Sequence, residues 1–471
     1  MNDITSRPRT DRGIHEVPTR IEYDILGERE IPADAYWGIR TQRALDNFSI
    51  TGTPISQYPH LINALGIVKE AAARANAELG QLDSERADAI IAACREIRAG
   101  QLHDQFPVDV IQGGAGAATN INANEVIANR ALELLGHSKG AYHHLHPNEH
   151  VNLSQSTAYV YPTAGHLATV LGLHDLLLAM SELFTAFESK ANETQSLPHA
   201  GSTQFPDTGP VTRGQKFRVY SEMLEEDHAR LLDASHLLRE VNLGATFISA
   251  DLADPKRCAD TMRHHLVAIS GLHLTTVGNL GEATPYDCGT LIHLSGVLKQ
   301  ISVRLSKTCN DLRLSSPRPL SARQEKTDLW PGNLNPVALE VVNQVAFEVI
   351  GNDIIVTMAA ETGKLHSALE PLILHSLSKS ITHMTAACHT LARHSVIGIT
   401  NEEALRDSDA GSVRLVTALN PHIGYTAATR IAKQALETGR SVAELVLEHG
   451  LLPADELAAL LRSLEQTAGE R

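Results

Sequence analysis

A chain of 471 residues can bury a large core and hold one to three domains, and a content of 43% hydrophobic but only 4% aromatic residues favours helices over sheets. The formal net charge of −15 argues against nucleic acid as a partner, and any positive site must be local. Five cysteines, Cys94, Cys258, Cys288, Cys309 and Cys388, are scattered with no CxxC pair and read as reduced thiols of a cytoplasmic protein.

Along the chain, residues 1–19 are polar and Arg-containing with no apolar stretch, and read as a disordered arm, not a signal peptide. Ile21–Gly38 reads as loop and short strands. Apolar residues then recur at three and four spacings in His60–Leu79 and Ser84–Ile97, which predicts helices there. Longer helices are predicted over Thr163–Thr194, with Leu167, Val170, Leu171, Leu173 and Leu177 in the apolar stripe, and over Ser221–Arg239, Leu291–Leu314 and Val337–Glu361. Asn335 can cap the last of these, with Pro336 at its first position. A shorter helical region follows Thr400, and Leu451–Leu457 reads as a turn opening a final helix. Helices this long, joined by short connections, predict an all-α bundle whose apolar faces need further helices, and hence oligomer assembly. No run is expected to reach membrane-spanning length, so no membrane partner is expected.

Several segments carry chemistry. Gly113–Gly116 is a glycine-rich turn opening a helix, where backbone N–H groups can meet an anion or simply pack. His137, His143, His144, His146 and His150 cluster in sequence, but the segment reads as loop and no metal is expected. The stretch Thr327-Asp328-Leu329-Trp330-Pro331-Gly332-Asn333-Leu334-Asn335-Pro336 resembles the signature loop of the aspartase/fumarase superfamily, usually Gly-Ser-Ser-x-Met-Pro-x-Lys-x-Asn-Pro. The resemblance runs from about Arg20 to Leu464 and includes Ile21–Gly38, Asp104–Gly116, Asn120–Arg130, Glu340–Val345 and Val349–Asp353, each close to the aspartase form.

That resemblance implies a three-domain helical subunit, with an N-terminal domain over 20–149, a central long-helix bundle over 150–399 carrying the loop 327–336, and a small C-terminal domain over 400–471. It implies a homotetramer, with no cofactor, whose active sites combine segments of different subunits. It also marks departures. Thr327 and Asp328 stand where the family has two serines, and Asn333 where it has a lysine. Ser156 and Thr157 match the family, whereas Ala158 and Tyr159 replace an Asn-Asp pair. In Gly201–Asp207, Thr203 and Gln204 match aspartases, whereas Ser202 and Pro206 replace arginine and glutamine. Ala117 and Ala118 occupy positions of carboxylate-contacting hydroxyls, with Thr119 one step later. The connection from Leu314 to Thr327 is shorter than the family's.

Elimination from a succinate-like acid needs a poised base and oriented donors for the growing negative charge. Thr327 or Asp328 is the expected base. Ser156, Thr157, Tyr159, Thr203, Gln204, Asn335, Thr119 and His150 are the expected substrate contacts. Losing the lysine charge and two side-chain contacts would cost about 3–6 kcal/mol, on the order of 10²–10⁴ in rate. The expectation is an aspartase-like lyase acting by β-elimination, or in reverse, on an aspartyl- or succinyl-type acid altered from plain aspartate. The alternatives are a non-catalytic paralogue that binds or regulates, paired with an intact aspartase, and an ordinary aspartate ammonia-lyase.

Overall fold

The computed structural model describes residues 18–195, 212–241, 255–276, 288–315, 337–361, 366–396, 419–438 and 440–460. Its architecture is all-α, as the composition predicts, with two small two-stranded sheets. The described residues fall into two compact units, one within Met1–Leu173, Asp233–Ser295 and Asn352–Lys379, the other within His174–Leu232, Gly296–Gly351 and Ser380–Arg471.

The first unit opens with an antiparallel hairpin of β1 (Thr19–Asp24) and β2 (Gly27–Pro32). Helix α1 (Ile39–Asn47) follows, and no side chain of its own caps it. Its first N–H groups are instead taken by two buried carboxylates: Glu125 accepts from Gly38, Arg40 and Thr41, and Glu22 from Ile39. Burial raises the Glu125 carboxyl above its usual range, against the lowering effect of those bonds.

Helix α2 (Pro59–Glu78) starts on a proline, whose fixed φ suits a first helical position. It packs on α3 (Ser84–Arg98), which is capped by the Asp83 carboxylate accepting from Arg86 N at 2.9 Å. The two backbones approach closely at Gly66, where a Cβ would lie 3.0 Å from Arg98 Cγ and 3.3 Å from the Cys94 carbonyl oxygen. Helix α4 (Ala117–Leu134) packs on α3, and α7 (Pro255–Ser270) on α2. Before α7 lies β3 (Glu240–Val241), which pairs in parallel with β4 (Thr275–Thr276), just after that helix.

The long helices are α5 (Thr157–Glu193), α6 (Arg213–Leu237), α8 (Gly289–Ser315), α9 (Val337–Ala360) and α10 (His366–Leu391). In the second unit, Phe187 of α5 meets Phe217 and Tyr220 of α6, and Asp227 of α6 accepts from Arg304 of α8 at 3.0 Å. A separate core of Leu419, Ala428, Ile431, Leu445, Val446 and Leu457 closes α11 (Tyr425–Thr438) and α12 (Val442–Glu448) against the last described helix, 454–460.

Several expectations need correction. Helix α5 begins at Thr157, not Thr163, and runs through Pro162, because a proline near a helix start forfeits at most one backbone bond. Helices α1, α7 and α10 are absent from the predicted set, and α6 begins at Arg213, not Ser221; α10 contains Pro371, which breaks the sequence pattern but not the helix. Finally, α5 and α9 are long and apolar enough to cross a membrane, contrary to the expectation from hydropathy. The relevant stretch of α5 is 56% buried within the chain, the mark of a core helix, whereas that of α9 is 33% buried.

Candidate functional site

The glycine-rich turn closes onto α5. Gly114, Ala115 and Gly116 take successive positive φ values of 77°, 55° and 80°. Gly116 is required twice over: its backbone is left-handed, and a Cβ there would fall 2.3 Å from the Tyr161 ring. Ala115 holds the same conformation with a side chain, a strain of about 1–2 kcal/mol. The Gln112 carboxamide caps the helix that follows, its Oε1 accepting from Thr119 N at 2.9 Å and Thr119 Oγ1 at 3.1 Å. The Thr119 hydroxyl is thus fully buried and committed to closing the turn.

Beside this turn the structure gathers polar side chains from four elements. Lys69 lies within the apolar run of α2 and is wholly enclosed. Its Nζ donates to Asn152 Oδ1 at 2.9 Å. Asn120 and Asn124, one helical turn apart on α4, donate to the same oxygen at 3.2 Å each. Asn120 Nδ2 also donates to Thr157 Oγ1, on the first turn of α5, at 3.0 Å. Asn152 Nδ2 donates to the Gln155 carbonyl at 3.0 Å. Burial pushes Lys69 down to about 7, against the smaller opposing effect of the Cys94 thiol.

Asn152 is placed by a single π-helical turn, Pro147–Val151, where the sequence read a loop. Within it, His146 Nδ1 accepts from the N–H groups of Asn148 and Glu149, and His150 Nδ1 accepts from His146 N at 2.8 Å. Burial and the nearby Arg86 lower His150. His137 stacks on His144 with ring centroids 3.8 Å apart. Among the described residues, no three His, Cys, Asp or Glu side chains converge as a metal site would require.

Thr157 is therefore the expected contact that the structure joins to a polar network. Ser156 supplies the carbonyl that accepts from Tyr159 and Val160 N–H, opening α5. Tyr159 is half-buried, two residues past Thr157 and so about 200° round the helix. Thr203, Gln204, Thr327, Asp328 and Asn335 lie outside the described residues. Glu340, in the first turn of α9, lies 3.9 Å from Arg313 Nη2.

Lys69, Asn124 and Asn152 escaped the sequence reading as site residues, as did Asn120. Two signals were present: a lone lysine in an apolar helical run, and asparagines spaced four apart on one helix.

The lyase family model matches residues 27–351, and the fumarase C C-terminal model matches 415–465. An aspartate ammonia-lyase of Pseudomonas canavaninivorans is 49% identical over 455 residues, covering 94% of this chain and 96% of the relative. That of Escherichia coli K12 is 45% identical over 449 residues, covering 93% and 94%. Among solved structures, the fumarate lyase:delta crystallin of Brucella melitensis, bound to cobalt, matches with a TM-score of 0.76 at 46% identity, covering 95% of this chain and 99% of that one. The class II fumarase of Schistosoma mansoni gives a TM-score of 0.75 at 27% identity, covering 94% and 98%.

Proposed function

The chain belongs to the aspartase/fumarase superfamily as an aspartase-like carbon–nitrogen lyase, and from that premise we propose that its substrate is an aspartyl- or succinyl-type acid other than plain aspartate. The reaction is β-elimination across the C–N bond to a fumarate-type product, or the reverse addition. The observation that carries this reading is the first turn of α5. Thr157 is kept and held by Asn120, yet Ala158 and Tyr159 follow it in place of the family's Asn-Asp pair. An alanine removes a substrate-facing donor, and a tyrosine brings bulk and a hydroxyl. One masked carboxylate or a larger amino substituent suits that change.

In this reading Thr327 or Asp328 takes the proton from carbon, and Thr157, Ser156, Thr203, Gln204 and Asn335 bind the acid. Tyr159 shapes the pocket, and His150 lies at its edge. Thr119 turns inward to Gln112 and so supports the turn, not the substrate. The working form is a homotetramer. Supporting this, Phe347, Ile354 and Met358 form an exposed apolar stripe on α9 at spacings of seven and four. The buried free thiols of Cys94, Cys258, Cys309 and Cys388 suit a reducing, cytoplasmic setting.

The identity of almost one half to aspartate ammonia-lyases favours a second reading, deamination of aspartate itself. Ultraviolet absorbance of the unsaturated product, followed with aspartate, malate and N-substituted aspartates, separates the readings. Faster release from an N-substituted aspartate supports the altered substrate. Faster release from aspartate establishes the second reading. Absence of release from all of them, with succinate still raising the melting temperature, would mark a non-catalytic paralogue serving an intact aspartase.

A further inference from the structure

The network beneath Thr157 has a fixed hydrogen-bond direction. Lys69 is a donor, so Asn152 must present its oxygen to it; the Gln155 carbonyl is an acceptor, so Asn152 must present its nitrogen there. Both ends agree. Because Asn152 Oδ1 accepts, Asn120 must turn its Nδ2 toward it, and the second N–H of that nitrogen reaches Thr157 Oγ1. The hydroxyl oxygen of Thr157 is thereby an acceptor on the protein side, and its hydrogen is left to donate away from Asn120.

This polarity is maintained against a penalty. Three donors crowd one Asn152 oxygen, while Asn120 Oδ1 and Asn124 Oδ1 are buried without a hydrogen-bond partner among the described residues. A buried polar atom left unpaired costs about 1–3 kcal/mol. A network serving packing alone would relax by rotating an amide or by replacing it with an apolar residue. The retained direction suits a task at its far end.

We propose that Asn120 is a positioning residue for the elimination: oriented by Lys69 through Asn152, it holds the Thr157 hydroxyl as a donor to the substrate's carboxylate. The inference rests on the reading that Thr157 touches the substrate. Lys69 contacts no substrate in this scheme; its buried N–H sets the direction of the relay of hydrogen bonds.

A double-mutant cycle with Asn120→Asp, Thr157→Val and the pair tests it. Aspartate at 120 keeps the shape but accepts where asparagine donates, drawing the Thr157 hydrogen inward. Two quantities are read: KM and kcat for the best amino-acid substrate, and the calorimetric Kd for succinate. Asn120→Asp is expected to raise both KM and Kd roughly three- to tenfold with a smaller change in kcat, as loss of one hydrogen bond requires. In the Thr157→Val background the same change is expected to move them less than about twofold. Asn120→Ala, which adds no charge, serves where the aspartate variant does not assemble, and Thr157→Ser is expected to restore the coupling. Equal effects in both backgrounds, with turnover intact in the wild type, overturn the positioning role and leave the lyase reading standing. A wild-type protein that neither binds succinate nor releases product overturns both.

Discussion

Helices α2 and α9 are both rich in apolar residues, and they satisfy them in different ways. Fourteen of the twenty residues of α2 are buried within one chain, including Lys69, Glu70 and Asn76. Helix α9 buries Leu339, Val342, Ala346, Val349 and Val356 on one side, but leaves Phe347 63% and Met358 66% exposed on another. A helix that is apolar all round has no face for water. Helix α2 can therefore enclose charges because α3, α4 and α7 surround it, whereas one side of α9 is left uncovered by the described residues.

The largest test of this contrast is to charge the exposed stripe of α9. Phe347→Glu together with Ile354→Glu is expected to reduce the proposed tetramer to smaller species at micromolar concentration in sedimentation velocity, because two carboxylates cannot be desolvated in a helix seam. An intact tetramer would show that α9 is not the assembly seam.

Within α2 the comparison sharpens at Glu70. Its carboxylate is fully buried and receives Arg74 at 2.6 Å, Arg98 at 2.5 Å and Arg95 at 3.3 Å. Glu70→Gln leaves three guanidinium groups with no carboxylate among them. Breaking a buried pair costs about 3–5 kcal/mol, and the partial exposure of the arginines puts the expected loss at the lower end. The urea midpoint should fall accordingly, with the m-value unchanged.

A pH-dependent effect separates Lys69 from its neighbour. Its folded value is lowered to about 7 from 10.5, so between those limits the unfolded chain binds the extra proton. Stability from this group therefore rises as pH climbs from 7 to 10, and the penalty of burying the charge is present in full below 7. Lys69→Met carries no such term. Relative to wild type, the variant should be most favoured at pH 6 and lose that advantage toward pH 10, over a range of a few kcal/mol. Urea unfolding at both values checks it; a difference independent of pH would mean that Lys69 stays charged in the fold.

Much of the helical framework was legible in the sequence because its apolar residues repeat at three and four. The predicted His60–Leu79 and Ser84–Ile97 helices differ from α2 and α3 by a residue at the ends. The first turn of α5 was hidden by Pro162, and α10 by Pro371, since local preference counts a proline against a helix that tertiary packing nevertheless sustains. At the site, Thr157 was legible through its Ser156-Thr157 motif. Asn120 and Asn152 were not, because their spacing of thirty-two residues gives no sign that they share a hydrogen bond.

The sequence alone determined the all-α class and the superfamily, through helical periodicity and long motifs that survive local substitution. It also supplied the residue types at the motif positions on which the proposed change of substrate rests, because residue type is itself the chemistry. Only the tertiary structure decided what those groups touch. Thr119 carries a hydroxyl beside the expected position, yet folding turns it onto Gln112. Lys69 looks like one polar residue in an apolar run, yet folding encloses it and makes it orient two asparagines. Hydrogen-bond direction depends on which donors and acceptors meet, and that meeting exists only once α2, α4 and the turn before α5 have packed.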